Sequence, residues 1–177
     1  MSFRKEKKYK LTIFEFNSIK NYLIESGMCV LHKSRSVMST YYDTSLLNMF
    51  HDSEEGVLPR KKIRIRSYNN NDINSIEVKT SSVEGRHKKI LKIFKNSSKK
   101  LLNTIQDKQY GLLTPSLFIS YDREYFLFKG LRITFDTSIK YRNLRNSNII
   151  EFDDPERVME VKTPIDMADE FIETVIP

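Results

Sequence analysis

Apolar and charged residues alternate along this chain in several short runs, and that two-residue rhythm is its first organising feature. In PRKKIRIRSY (59–68) Arg64 and Arg66 flank Ile65, and in SIEVK (75–79) Glu77 and Lys79 flank Val78. Residues two apart on a strand share a face, so each run directs its charges one way and its aliphatic residue the other. The same rhythm recurs at Glu6 and Lys8, at Arg132 with Thr134 and Asp136 in LRITFD, and at Glu160 and Lys162 in VMEVK, with Arg123 as a single charge in ISYDREY. The chain reads as a set of strands, each with one ionic face.

The elements follow from this pattern. Strands are expected over 3–11, 37–43, 60–68, 73–80, 84–95, 117–128, 131–141 and 157–163. A helix is expected from Thr12, an N-cap with Glu15 placed for a capping box, through an apolar stripe of Phe16, Ile19, Tyr22 and Leu23 to a stop at Gly27. Residues 44–52 read as a turn or short helix. The Asn-rich 69–74 stretch reads as a hairpin loop, and Lys129-Gly130 as a tight hairpin turn. Within 96–109 a loop leads into a short helix with Leu101, Leu102 and Ile105 on one face, ended at 111–116, where Pro115 marks a break. Residues 147–154 read as a loop and 165–176 as a final amphipathic helix.

Two arrangements satisfy such strands: an open sheet whose ionic face is wetted, or a curled sheet whose ionic faces point inward while the apolar faces pack outward on helices. Arginine dominates the charged positions, and its planar fork of donors matches phosphate oxygens. The 177 residues suit one domain, 1–177. A content of 39% hydrophobic and 30% charged residues is that of a soluble globular protein rather than a disordered one. No apolar run approaches the ~18 residues that span a bilayer, and the charged MSFRKEKKYKL start lacks a secretory apolar core. The single Cys29 excludes a disulfide framework and makes a reducing, cytoplasmic setting the default. The formal charge of +7 and pI near 9.4 call for anionic partners. With five glycines and no GxxxxGK[ST] motif, any phosphate must be held by side chains rather than a backbone nest. His51 has no partner at metal-ligand spacing and reads as a surface residue. Nucleic acid is disfavoured, since acids share the ionic faces and no stacking aromatics alternate with the cations.

Glu6-x-Lys8, STYYDT (39–44), RKKIRIRSY (60–68), IEVKT (76–80), the pair Lys88-Lys89, SYDREYF (120–126), LRITFDTSIKYR (131–142) and VMEVKTP (158–164) stand in an order that resembles the VTC domain. That is the polyphosphate polymerase branch of the CYTH-like triphosphate tunnel metalloenzymes. The resemblance runs from about Arg4 to Pro164 and implies an α+β fold, an antiparallel β-barrel forming a triphosphate tunnel with helices packed on its outside. It implies phosphate binding by Lys8, Arg64, Arg66, Lys79, Lys88, Arg123, Arg132 and Lys162, with Lys89 able to replace Lys88 after a one-residue slip. It implies Mn²⁺ or Mg²⁺ held first by Glu160, then by Glu77 and Glu6. Arg64, Arg66, Arg132 and Glu160 would be catalytic, with ATP and polyphosphate as partners. Asp136 reads as a hydrogen-bonding or salt-bridge residue, and the tyrosines of STYYDT as structural. Arg123 and Arg132 are expected on facing strands, where they would repel unless both point at a shared anion. The activity implied is γ-phosphoryl transfer from ATP to a polyphosphate end. The chain stops short of the Ser-Lys-Tyr segment that follows the last helix in the family. Two alternatives therefore stand beside polymerisation: a tunnel-type triphosphatase and a non-catalytic sensor of polyphosphate or inositol phosphate.

Overall fold

A computed structural model describes residues 4–69, 71, 73–94, 103–146, 150–164, 171 and 174. In chain order these form β1 (Arg4–Leu11), α1 (Ile13–Glu25), β2 (Cys29–Asp43), α2 (Asn48–Glu54), β3 (Arg60–Tyr68), β4 (Ile73–Ser82), β5 (Gly85–Phe94), β6 (Ile105–Asp107), β7 (Gly111–Phe128), β8 (Leu131–Asn143), β9 (Glu151–Asp153) and β10 (Arg157–Pro164). The strand order among the described residues is β1-β10-β8-β7-β2-β3-β4-β5, with β6 beside β7 and β9 beside β8. The expected α+β, antiparallel architecture is present. No helix among the described residues is long and apolar enough to cross a membrane.

The chain divides into two compact units. One comprises 1–35, 121–139 and 153–177, and the other 36–120 and 140–152. In the first, α1 begins as its sequence requires: Glu15 N–H donates to Thr12 Oγ1 at 3.3 Å while Thr12 N–H donates to Glu15 Oε2 at 2.8 Å, satisfying two end donors at once. Gly27, at φ 100°, reverses the chain after the helix, a conformation that L side chains resist. Phe16 and Leu23 are buried against Phe126, Phe128, Leu131, Ile133, Phe135, Met159 and Val161, with Phe16 edge-on to Phe135 at 5.3 Å. On each strand these residues carry the parity opposite to its charged positions: Arg123 on β7, Arg132 on β8, and Glu160 and Lys162 on β10. The helix thus covers the apolar face and leaves the ionic face to the other side. Tyr22, expected in the stripe, is instead 48% exposed, because the buried face is narrow and centred on Phe16 and Leu23.

In the second unit Tyr42, Met49, Ile63, Ile65 and Leu113 form the core. Asp43 closes β2 and starts α2, accepting from the N–H groups of Thr44, Met49 and Phe50 at 2.7–3.0 Å. Burial pushes the Tyr42 phenol up to about 12, as expected for a ring turned into this core. The β3–β4 and β7–β8 hairpins form as read. Lys129 and Gly130 both take left-handed φ values, 47° and 79°, the pattern of a two-residue turn that matches strand twist.

Three expectations change. Ile105–Asp107 is a strand, not a helix: Asp107 Oδ1 accepts from the N–H groups of Gln109 and Tyr110 at 2.9 and 3.1 Å, folding the chain back at Gly111 so that Ile105 pairs with Leu113. Leu101 and Leu102 lie outside the described residues. Pro115 does not break the chain, since β7 runs through it. Pairing with β6 stops at Leu113, so on that side the missing N–H removes no ladder bond. Within 147–154, Glu151–Asp153 is a strand on β8. The expected 165–176 helix falls outside the described residues except for Phe171 and Thr174.

Candidate functional site

Each unit contains one buried ionic cluster. In the second, β3 presents Arg64 and Arg66 on one face. The register places Tyr41 and Glu77 on either side of Arg64, and Ser39 and Ser75 on either side of Arg66. Arg64 Nε donates to Glu77 Oε2 at 2.7 Å, and its Nη2 lies 2.5 Å from the same oxygen. Arg64 Nη1 donates to the Tyr41 hydroxyl at 2.7 Å. Arg66 Nε donates to Ser39 Oγ at 3.1 Å, and its Nη1 lies 3.8 Å from Glu77 Oε2. Lys88 Nζ donates to the other Glu77 oxygen at 2.7 Å. One carboxylate, only 4% exposed, therefore serves three cations.

Burial alone would raise the Glu77 carboxyl, but Lys88, Arg64 and Arg66 outweigh it and hold it at about 2. Burial likewise opposes the Arg64 charge, and Tyr41 and Glu77 outweigh it, so the guanidinium is held above its ordinary range. Lys88 and Lys89 take different faces of β5. Lys88 reaches Glu77, whereas Lys89 pairs with Val78 on the opposite parity. Lys79 lies on the ionic face between Lys62 and Lys88 in register and is exposed.

In the first unit, β1, β10 and β8 align their ionic residues in rows: Glu6 with Lys162 and Arg132, and Lys8 with Glu160 and Thr134. Arg123, from β7, makes a two-pronged pair with Asp136, Nε to Oδ1 and Nη2 to Oδ2, both at 2.6 Å. Its Nη2 also lies 3.4 Å from Glu160 Oε2. Lys162 Nζ bridges Glu160 Oε1 at 2.9 Å and Glu6 Oε1 at 2.7 Å. Burial works against the Glu160 charge, yet Lys162, Arg123 and Lys8 keep its carboxyl below the usual range. Arg123 is raised despite burial, first by Asp136.

Arg123 is taken up by the Asp136 and Glu160 carboxylates. Arg132 is half-buried, and its Nε has no hydrogen-bond partner. The Thr134 hydroxyl, 1% exposed, also has none. An unsatisfied buried polar atom costs about 1–3 kcal/mol, so both are placed to accept a partner that brings oxygen atoms.

Of the sequence-derived residues, Arg64, Arg66, Lys88 and Glu77 come together in one cluster, and Arg123, Lys162, Glu160 and Glu6 in the other, with Lys8 and Arg132 alongside. Ser39, which sequence reasoning passed over, and Tyr41, read there as structural, hold the two guanidiniums of β3. Their alternation within STYYDT is the signal that places them on that face. Among the described residues no group of three or more His, Cys, Asp or Glu side chains is gathered as a metal site. Glu6 and Glu160 share Lys162, while Glu77 belongs to the other cluster with both oxygens engaged by cations. Mg²⁺ and Mn²⁺ commonly bind through one or two carboxylates plus substrate oxygens and water. Glu160 also has both oxygens on cations, Oε1 on Lys162 and Oε2 on Arg123, so a metal held by Glu160 and Glu6 would have to take the place of the Lys162 ammonium that now bridges them.

The fold has solved counterparts. A candidate adenylate cyclase from Bacillus halodurans matches 98% of this chain and 86% of its own at a TM-score of 0.63 and 13% identity. One from Vibrio parahaemolyticus matches 96% and 82% at 0.54 and 15%. A candidate adenylyl cyclase from Hippeastrum, described as having a dominant triphosphatase activity, matches 99% and 84% at 0.54 and 10%. Among curated protein sequences none matches. The fold is that of the CYTH-like triphosphate tunnel proteins. Within that class the chain belongs to the VTC domain family, whose model matches residues 3–175.

Proposed function

We propose that this chain binds a triphosphate or polyphosphate on an ionic strand face and transfers the γ-phosphoryl group of ATP to the end of a polyphosphate chain. The observation that carries this is the sharing of Glu77 by Arg64, Arg66 and Lys88 on a largely buried strand face. The excess of cations there is suited to a polyanion and strongly held against loss of charge. Arg64, Arg66, Lys79 and Lys88 are the candidate phosphate-binding cations of the second unit, and Arg123, Arg132, Lys162 and Lys8 those of the first. Tyr41 and Ser39 would keep the β3 guanidiniums in place before ligand arrives.

The attacking oxygen of a polyphosphate terminus is already ionised near neutral pH, so no general base is needed. A new P–O bond forms to the γ-phosphorus as its bond to the β-bridging oxygen breaks, and the nucleoside diphosphate departs. The residues' work is in-line positioning and neutralisation of the equatorial oxygens, the terms that dominate phosphoryl transfer. Arg64, Arg66 and Arg132 are suited to that role. Mn²⁺ or Mg²⁺ bound by Glu160 with Glu6 would further neutralise phosphate charge. Glu77 is better placed to fix arginines than to ligate a metal.

A second reading, hydrolysis of triphosphate, is favoured by the activity described for the Hippeastrum protein of the same fold. Incubation with ATP and Mn²⁺ separates the two. Long acid-precipitable chains support the polymerase, and free phosphate without chains supports the hydrolase. Tight polyphosphate binding with neither product would leave a sensor and overturn both.

A further inference from the structure

On the first unit's ionic face a cation already stands between the two carboxylates that would hold a metal. Lys162 Nζ lies 2.7 Å from Glu6 Oε1 and 2.9 Å from Glu160 Oε1. The contact bridges two strands. Glu6 faces Lys162 across the β1–β10 ladder, and Glu160 precedes Lys162 by two positions on β10, so the three side chains share a face. The other Glu160 oxygen lies 3.4 Å from Arg123, but Arg123 is gripped by both oxygens of Asp136 at 2.6 Å and could not leave without stranding that carboxylate. Lys162 is the displaceable cation of the two. It is a point charge on a flexible stem, its side chain and that of Glu6 are 15% and 29% exposed, and in register it lies beside Arg132 on β8.

We infer that the Lys162 ammonium is a built-in competitor of the divalent cation: it holds the Glu6–Glu160 pair and yields that place only when a polyphosphate beside Arg132 offers it oxygen acceptors instead. The inference deepens the reading that phosphate and metal meet on this face, and rests on it. Metal arriving alone has to drive the ammonium out with nothing to receive it. Polyanion arriving alone draws the ammonium away and leaves two carboxylates facing phosphate oxygens. Each ligand therefore removes the obstacle to the other, and by linkage the coupling is reciprocal. A purely structural salt bridge carries the opposite expectation. Deleting its cation would loosen β1 from β10 and raise the affinity for nothing.

The test titrates the full chain with Mn²⁺ alone, without phosphate, and follows the loss of the free-ion signal by electron paramagnetic resonance. Lys162→Met should bind Mn²⁺ at least about tenfold more tightly than wild type. Lys162→Gln, which keeps a neutral donor between the carboxylates, should gain in the same direction and carries the test if the methionine variant does not fold. Glu6→Gln/Lys162→Met should lose most of that gain, because one of the two carboxylates is gone. Calorimetry with inorganic tripolyphosphate reads the coupling from the other side. Wild type should bind it about tenfold more tightly in Mn²⁺ than in a metal chelator, and Lys162→Met should show a smaller ratio. An Mn²⁺ affinity in the Lys162 variants equal to wild type or weaker overturns the inference and leaves the phosphate reading standing. A wild-type chain that binds tripolyphosphate in neither condition overturns both.

Discussion

Replacing Glu77 by Gln removes the charge on which Arg64, Arg66 and Lys88 converge, and the structure sets the size of the effect in two ways. Removing one member of a buried ionic group leaves its partners uncompensated, a loss of about 3–5 kcal/mol. The side chains stranded here are well buried, Arg64 at 12% and Arg66 at 8% exposure. Independently, a carboxyl held at about 2 against an ordinary 4.5 stabilises the folded chain by about 3 kcal/mol at neutral pH. Because the folded value is the lower one, this stabilisation is complete above pH 4.5 and is lost as pH falls toward about 2. Glu77→Gln should therefore cost about 3 kcal/mol at pH 7, a fall in Tm of roughly 6–12 °C for a chain of this length. The gap to wild type should close as the buffer is taken from pH 5 toward pH 3. Urea unfolding at several pH values measures both. Tripolyphosphate at a hundredfold over its Kd should return about 2.7 kcal/mol to the variant, since the anion supplies the charge that was removed. A loss below about 1 kcal/mol, or a gap that does not change with pH, would refute the account of Glu77 as the shared counter-charge of this face.

Arg123→Ala should cost about 3–5 kcal/mol in urea unfolding, because it strands the buried Asp136 carboxylate and leaves Glu160 with Lys162 alone of its two close cations; a loss under 1 kcal/mol would mean that water already compensates Asp136. Thr134→Val should leave unfolding within about 0.5 kcal/mol of wild type or make the chain more stable, since its buried hydroxyl has no partner to lose; a loss above 1 kcal/mol would show that the hydroxyl is bonded without ligand. Thr12→Ala should cost about 1 kcal/mol by opening the capping box of α1, seen as a Tm lowered by roughly 2–4 °C, and an unchanged Tm would mean that tertiary packing alone holds that helix end.

The parts of the fold legible in the sequence are those in which one strand face is buried and the other charged. β1, β3, β4, β8 and β10 all announce themselves by that contrast, and α1 by its cap. The first half of β2, Cys29–Arg35, does not, because Val30 and Leu31 are exposed there among polar neighbours and no alternation separates two faces. β6 and β9 are three residues each, too short for any period to show. What places β6 is the Asp107 side chain folding the following turn, a local hydrogen-bonding choice that competes with helix and outweighs the apolar spacing of Ile105. Pro115 misleads for the converse reason. A proline is read as a break when its missing N–H matters, and here the β6 ladder has already ended.

For the site, alternation identifies which residues share a face but not which of them touch. Contact depends on register between strands remote in sequence: Glu6 meets Lys162 across 156 positions, and nothing in either segment specifies that pairing. The same limit explains why Lys88 and Lys89 could not be assigned their faces until Val78 was known to lie opposite Lys89. It also explains why Asp136, read only as a generic salt-bridge residue, turns out to be the two-pronged partner of Arg123. Ser39 and Tyr41 show the deeper reason. Their side chains are unremarkable in a strand, and their importance comes from the guanidiniums that β3 places beside them, which are held by oxygen acceptors from both neighbouring strands. An arginine face becomes a fixed anion receptor only when the strands on either side supply such acceptors. The sequence that specifies the receptor is therefore divided among β2, β3, β4 and β5, and no one of their motifs defines it alone.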